Sequence, residues 1–379
     1  MDASFDVVIL AAGKGARMKS RLPKVLHHVL GYPLIEYVLR AVSSLSPSKV
    51  IVVVGHGDDA VREYLMGRGV VIAEAGEGDG EGHELRAARD TIRAPRFLVL
   101  PGDVPLVPIE ALELLLREHV AKGALVTLLS FSPENPRGHG RVVRDGSGIP
   151  KAVVEEEDGS PDMSSMGEAS SGICCVENEA ALWEALERLS GGARGGGRLA
   201  EVISALYPRT WAVEWPVPED LLGVDTRGDL ARLEGVLRGR IVARLQDEGV
   251  TVVDPDTAFI GPDVEVSPDT VIHPSVYIYG KSRVGESCEI GPNAYLRDTE
   301  LGCHVKVWFS VLEEAYVADG ASIGPYAHLR PGARIGRGAR IGNFVEIKNA
   351  EIGDGVRAGH LAYIGDAEVG EGTNIGAGT

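Results

Sequence analysis

The chain has 379 residues, 44% of them hydrophobic and 25% charged, and a formal net charge of −17. That length accommodates two or three domains with sizeable cores. The acidic balance excludes general nucleic-acid binding, and no apolar run approaches the roughly 18 residues needed to span a bilayer.

The start MDASFD lacks a basic n-region, so no secretory signal is visible and the expected compartment is the cytoplasm. Phe5 to Leu10, FDVVIL, is apolar apart from Asp6 and predicts a short strand buried on both faces, as in a parallel sheet. Ala11, Ala12, Gly13 and Gly15 follow as a small-residue turn whose backbone N–H groups can come close to an anion. From Lys14 to Lys24 the chain then carries Lys14, Arg17, Lys19, Arg21 and Lys24 and no acid. In so acidic a protein that reversal of sign points to a polyphosphate site. The spacing is not G-x-G-x-x-G, since Met18 stands where the third glycine belongs, nor is it G-x-x-x-x-G-K-[ST]. The plain alternative is a strand, a glycine turn and a solvated basic helix.

Leu34, Val38, Leu39 and Val42 share one face of a predicted helix, and Val50 to Val54 form a second buried strand. Strand, helix and strand predict a doubly wound, Rossmann-like α/β domain with ligands at the carboxyl ends of the strands. Residues 97 to 106, FLVLPGDVPL, repeat the pattern and put Gly102 and Asp103 just past a central strand. A divalent cation would be held there against phosphates; an ordinary turn aspartate is the alternative. Residues 76 to 82 alternate glycine with Glu77, Asp79 and Glu81 and read as a flexible acidic loop. GHGR at 138 to 141, KAVVEEED at 151 to 158 and EASSGICCV at 168 to 176 supply further loop and strand ends facing the same crevice. LLGVDTRGDL closes the domain with Asp225 ahead of a helix. Leu230, Leu233, Leu237, Ile241 and Leu245 form an amphipathic stripe with Gly249 as its stop. The expected division is a domain over 1–225, a linker helix over 226–250 and a second domain over 251–379. Cys174, Cys175, Cys288 and Cys303 lack C-x-x-C spacing and read as free thiols.

Beyond the linker, Ile260, Val266, Ile272, Ile278, Val284, Ile290 and Leu296 recur every six residues. After a slip, Val317, Ile323, Leu329, Ile335, Ile341 and Ile347 do so again. Eleven aliphatic positions here are followed directly by glycine. A chain that turns a corner every six residues, burying one aliphatic at each and using glycine for positive φ, is a hexapeptide β-helix.

The string LAAGKGARMKSRLPK, through Leu10, Ala11, Ala12, Gly13, Gly15, Arg17, Met18, Pro23 and Lys24, resembles the LAAGxGxRMxxxxPK signature of sugar-nucleotide pyrophosphorylases. From Leu329 to Thr379 the chain closely resembles the acetyltransferase half of the bifunctional N-acetylglucosamine-1-phosphate uridyltransferase and glucosamine-1-phosphate acetyltransferase family. The resemblance covers nearly the whole chain. It implies a first domain that converts UTP and N-acetylglucosamine 1-phosphate to UDP-N-acetylglucosamine and pyrophosphate, and a second that acetylates glucosamine 1-phosphate from acetyl-CoA. By that resemblance Leu10, Ala11, Ala12, Gly13, Gly80, Glu81 and Gly102 line the nucleotide, while Arg17 and Lys24 are catalytic and face its phosphates. Asp103 and Asp225 share a Mg²⁺, and Gly140, Glu155 and Ser170 contact the sugar. In the second domain Arg330 and Lys348 bind the sugar phosphate and Tyr363 and Asn374 the sugar. His360 is the general base, a task suited to a group that titrates near neutrality, with Glu346 orienting its imidazole. Ala377 belongs to the acetyl-CoA pocket. The family's prisms are left-handed, against the usual crossover rule, and associate as homotrimers with acyl-transfer sites between subunits.

Members of that family usually carry a glutamine and then G-T-G-H-A in the loop that reads uracil, and a tyrosine before Gly-Asp. Here Ala75 replaces the glutamine, Glu81 the threonine, Glu84 the alanine and Pro101 the tyrosine. Asp225 and Ser170 stand where asparagines are usual, and GGARGGG at 191 to 197 replaces a polar, aromatic stretch. Acids beside a tetra-anionic nucleotide should weaken its binding unless Mg²⁺ screens them. Two alternatives therefore stay open: another sugar-1-phosphate nucleotidyltransferase with a β-helix tail, or a trimeric scaffold or regulatory subunit with a decayed nucleotide pocket. Thr379 falls in mid-repeat, and relatives continue for several coils that supply most of the acetyl-CoA pocket. Acetylation is expected to be weak or absent without those coils.

Overall fold

A computed structural model describes every residue except 1–3, 14, 77, 79, 136–137, 156–166 and 191–197. The expectations resting on Lys14, Glu77, Asp79, residues 156 to 158 and the 191–197 stretch lie outside the described residues. The chain divides into two units, Met1–Leu233 and Glu234–Thr379.

In the first unit, β1 (Phe5–Leu10) forms as its apolar run predicts. Its side chains alternate between two cores. Val7 and Ile9 pack with Val52 and Val54 against one layer, whereas Val8 and Leu10 pack with Ile51 and Val53 against the other. Strands buried on both faces need helices on both. The strands are β2 (Lys49–Gly55), β3 (Val71–Ala75), β4 (Arg96–Pro101), β5 (Val126–Phe131), β6 (Arg141–Arg144), β7 (Pro150–Val154), β8 (Ala169–Glu177) and β9 (Thr210–Glu214). The main sheet runs β9-β5-β8-β4-β1-β2-β3, with β6 pairing β8 and β7 at the side. β8 is antiparallel to β4 and β5, while β1 is parallel to β2 and β4. Helices α1 (Leu34–Ser43), α2 (Asp59–Leu65) and α4 (Ile109–Lys122) bury Ile35, Val38, Val61 and Leu112 on one face. On the other, α3 (Glu81–Ala88), α5 (Ala180–Ser190) and α6 (Leu199–Ala205) bury Leu85, Leu182 and Val202.

One expectation is corrected here. The acidic stretch is not a loop throughout: Glu81 opens α3, with Gly80 at φ 98° as the residue before it. The plain alternative for the cationic segment, a basic helix, does not form either: the segment makes two short 3-10 turns, Ala16–Met18 and Lys24–Leu26.

Helix α7 (Arg227–Asp247) carries the predicted stripe. Leu233, Ile241 and Leu245 are buried, Leu230 and Leu237 half-buried, and Gly249 follows with φ 91°. The second unit then coils as three stacks of short parallel strands. One stack runs through Ile260, Ile278, Leu296, Leu312, Leu329, Ile347 and Ile364, all buried. The slip in the repeat is a pair of shortened coils: Ala258 pairs Val276, but Tyr295 pairs Val311 and Val311 pairs His328.

Glycine serves two purposes in these coils, and the expected one, positive φ, is met at Gly280, Gly320, Gly332, Gly338, Gly355, Gly372 and Gly378. Of the eleven glycines that follow an aliphatic residue, only Gly291 and Gly324 have positive φ. Other positive-φ corners fall on Asp298, Phe309, Tyr326, Phe344 and Leu361. Most of the glycines permit close stacking. A Cβ at Gly342 would run into the Gly359 carbonyl of the next coil, one at Gly285 into the Gly302 carbonyl, and one at Gly353 would lie 2.7 Å from the Glu371 nitrogen. All four cysteines are free, three of them buried. Among the described residues no helix is long and apolar enough to cross a membrane.

Candidate active sites

The loops after β1 and β4 and the segment ahead of α7 converge at the carboxyl edge of the first sheet. Gly15 adopts φ 57°, and a Cβ there would sit 2.8 Å from the Cβ of Lys24. Glycine at 15 thus lets the lysine stem pass inward. Lys24 Nζ then meets the Asp103 carboxylate and lies 3.1 Å from Asp225 Oδ1. Arg17 Nη2 reaches the same Asp225 oxygen at 2.9 Å. The backbone ties the carriers together: Gly102 N–H donates to Leu10 O (2.8 Å) and Val224 N–H to Asp103 O (3.0 Å). Asp229 accepts the Asp225 and Thr226 N–H groups at the start of α7. Burial works against the charge of Lys24, but Asp103 and Asp225 outweigh it and hold its pKa above the ordinary lysine value.

These groups line a cleft of about 400 Å³. At one end, Ser170 N–H donates to Gly140 O (2.8 Å), and Gly140 stands so close to Glu155 that a Cβ would lie 2.9 Å from its Oε1. His139 lines the same end, its ring edge-on to Phe131 at 5.1 Å. Burial, then Arg141, depress its pKa. At the other end a lobe of about 430 Å³ shares Gly13, Gly80 and Glu84 with the cleft.

The glycine turn departs from expectation in its amides. Ala11 N–H donates to Val53 O (2.9 Å), so it is spent on the sheet. Ala12 N–H is taken by the Glu84 carboxylate at 3.2 Å. In the sequence Glu84 stands out only as a departure from the family; its spacing of three from Glu81, which puts both on one side of a helical turn, is the signal the sequence offers. Glu81 accepts the Leu199 N–H at the start of α6. Burial, then Glu155 and Asp103, push Glu81 up to about 7. Burial, with Glu81 and Asp103 adding to it against the Ala12 N–H, pushes Glu84 up to about 7 as well.

Among the described residues no group of three or more His, Cys, Asp or Glu side chains could hold a metal ion. Asp103 and Asp225 instead direct two carboxylates at one point, marked by Lys24 Nζ. That donor set fits Mg²⁺, which keeps several waters and is bound by one or two carboxylates together with substrate phosphates.

In the second unit the register assembles a row of side chains. His328, Glu346 and Tyr363 are neighbours on successive coils, Lys348 pairs Gly365, and Asn343 pairs His360. Arg330 donates from Nη1 to Glu346 Oε1 at 2.7 Å, and the Tyr363 ring lies over Gly365. Glu346 therefore serves Arg330, not the His360 imidazole, because the strand places it beside Tyr363 and leaves Asn343 beside His360. His360 and Tyr363 are exposed. Asn374 pairs Arg357 on a different stack and is not brought to Tyr363 within one chain; Ala377 is exposed further along.

A model of the MobA-like NTP transferase domain matches residues 7–209, and one of the bacterial transferase hexapeptide, six repeats, matches residues 314–349. The bifunctional protein GlmU of Carboxydothermus hydrogenoformans is 42% identical over 99% of this chain and 84% of its own length. That of Thermus thermophilus is 44% identical over 98% and 82%. A Bacillus anthracis crystal structure, described as a glucose-1-phosphate thymidylyltransferase with sucrose, superposes with a TM-score of 0.50 at 17% identity, over 62% of this chain and 95% of its own. At that identity it speaks for the fold alone.

Proposed function

The chain belongs to the GlmU family of bifunctional enzymes, and from that premise we propose how its residues divide a uridylyl transfer and an acetyl transfer. The first unit joins UTP to N-acetylglucosamine 1-phosphate and releases pyrophosphate; the second acetylates glucosamine 1-phosphate from acetyl-CoA. The observation that carries the first assignment is the meeting of Lys24, Asp103 and Asp225 at a single point. A phosphate oxygen of the sugar phosphate attacks the α-phosphorus and pyrophosphate leaves in line. No protein nucleophile is needed, so positioning and charge neutralisation suffice. Asp103 and Asp225 would hold Mg²⁺, which would supply charge neutralisation at the phosphates, while Lys24 and Arg17 are the cations that face the triphosphate. Leu10, Ala11, Ala12, Gly13, Gly80, Glu81 and Gly102 surround the nucleotide, and Gly140, Glu155 and Ser170 hold the sugar.

In the second unit Arg330 and Lys348 take the sugar phosphate, Tyr363 the sugar, and His360 accepts the amine proton as nitrogen attacks the thioester. Asn374 and Ala377, on another stack, join a site completed by a neighbouring copy in a homotrimer. The exposed corner ridge of Phe309, Tyr326, Phe344 and Leu361, with Tyr326 stacked on Phe344 at 5.4 Å, supports such an association. The enzyme's place of action is the cytoplasm, in keeping with the absence, among the described residues, of a helix long and apolar enough to cross a membrane.

The test is pyrophosphate release from N-acetylglucosamine 1-phosphate and Mg²⁺ with each of the four common nucleoside triphosphates. Release with UTP is expected to dominate. Release with another nucleotide instead would favour a different pyrophosphorylase, and no release would favour a scaffold.

A further inference from the structure

We propose that Glu84 selects the nucleobase in the uridylyl transfer, its neutral carboxyl presenting a hydroxyl donor beside a carbonyl acceptor to the edge of uracil. The inference rests on the reading of the cleft given above and adds the group that recognises the base. With phosphates at Lys24 and Asp103 and sugar at Gly140, the base falls to the lobe that opens beyond Gly13 and Gly80. Its walls include Gly55, Gly76 and Gly78, backbone that a flat ring can approach closely.

Among the described residues four polar side chains line that lobe: His56, Asp58, His83 and Glu84. His56 is engaged by Glu74 at 2.7 Å. The Asp58 carboxylate lies against Gly55, 2.6 Å from where a Cβ would stand. His83 braces the loop, its ring against Gly78, with Nε2 3.2 Å from Gly76 O and Nδ1 3.3 Å from Arg86 Nη2. Glu84 differs from them in standing on the border of both cavities and in being aimed by the strand-end loop, since Ala12 N–H holds its Oε2. With Oε2 fixed as an acceptor, the carboxyl proton sits on Oε1.

Around Glu84 stand Glu81, Asp103 and Lys24, with Asp58 and His83 across the lobe. Burial and the two acids favour its neutral form, and its pKa of about 7 makes that form available near neutrality. A neutral carboxyl donates to the uracil O4 and accepts from N3–H, the same pair of bonds an amide would make. An ionised carboxylate can only accept. It then faces O4 with a negative oxygen and is better matched by two adjacent donors, as in the N1–H and N2–H₂ edge of guanine. Base selection therefore depends on one proton.

The experiment compares kcat/KM for UTP with kcat/KM for GTP, using the full chain with Mg²⁺ and N-acetylglucosamine 1-phosphate at about pH 6 and about pH 8.5. In the unaltered protein the UTP/GTP ratio is expected to fall about tenfold between the two, the worth of one hydrogen bond to a charged group. Glu84→Gln should keep a high ratio that no longer changes with pH, and Glu84→Ala should show a low ratio at both. Because each ratio is taken within one variant, partial misfolding does not distort it. A Glu84→Gln ratio that still falls with pH, or a Glu84→Ala ratio equal to that of the unaltered protein, overturns the proposal. No pyrophosphate from UTP at either pH would remove the underlying reading of the cleft along with it.

Discussion

The two units solve the problem of gathering charged groups in opposite ways. In the first, Lys24 and Asp225 are 201 residues apart in sequence and meet in a cleft, where the lysine side chain is only 15% exposed. In the second, Arg330, Glu346, Lys348 and Tyr363 are set side by side by strand register and stay on an outer face, with Tyr363 51% exposed. A cleft excludes water and so shifts the titration of what it encloses, as at Glu81 and Glu84. An open face gains that power only when a second surface covers it. The first set of charged groups is thus enclosed by its own fold, whereas the second lies open on a face of the coils.

The strongest test of this contrast is a crossed pair of variants. Asp103→Asn is expected to reduce pyrophosphate release roughly 10³-fold, leaving acetylation as it was, and chelating divalent cations should likewise stop only the first reaction. His360→Ala should reduce whatever acetylation the unaltered chain shows, by up to roughly 10²- to 10⁴-fold, while uridylyl transfer persists. Both activities measured on the same preparations decide the matter, and a joint loss in either variant would show that the sites are not independent.

A smaller effect concerns pH. Glu81 and Glu84 have ordinary values of 4.5 and are raised to about 7 in the folded chain. Between those values the folded state binds more protons than the unfolded one, so stability declines as pH rises from about 4.5 and the decline is complete above about 7. Each group accounts for about 3 kcal/mol, and the two together for less than twice that, because they share one repulsion. Thermal unfolding of Glu81→Gln should show stabilisation at about pH 8 and little at about pH 4. Equal stabilisation at both would contradict the burial argument.

The smallest effects separate two kinds of glycine. Gly342→Ala forces a Cβ onto the Gly359 carbonyl of the adjacent coil and should destabilise the β-helix by about 1–3 kcal/mol. Gly235→Ala, in α7 with open space around it, should stabilise by up to about 1 kcal/mol. Urea midpoints for the two would sharpen the contrast between stacked coils and a helix surface; a neutral Gly342→Ala would mean that the coils can part without cost.

Local pattern alone determined a great deal here: the buried strands Phe5–Leu10 and Lys49–Gly55, the stripe of α7, and the coils with one aliphatic turned inward at each corner. Burial on one face, both faces or every sixth residue leaves its mark directly on neighbouring letters, so these elements could be read without any contact between distant parts. The need for glycine at Gly285, Gly342 and Gly353 could not, because it arises from backbone of the next coil, sixteen to eighteen residues away and invisible in local spacing. Nor could the partner of Glu346, which one strand's register hands to Arg330. The state of Glu84 was equally hidden. Its raised pKa and its grip on Ala12 arise from a helix and a strand end 72 residues apart, brought together only when the sheet closes and water leaves the space between them.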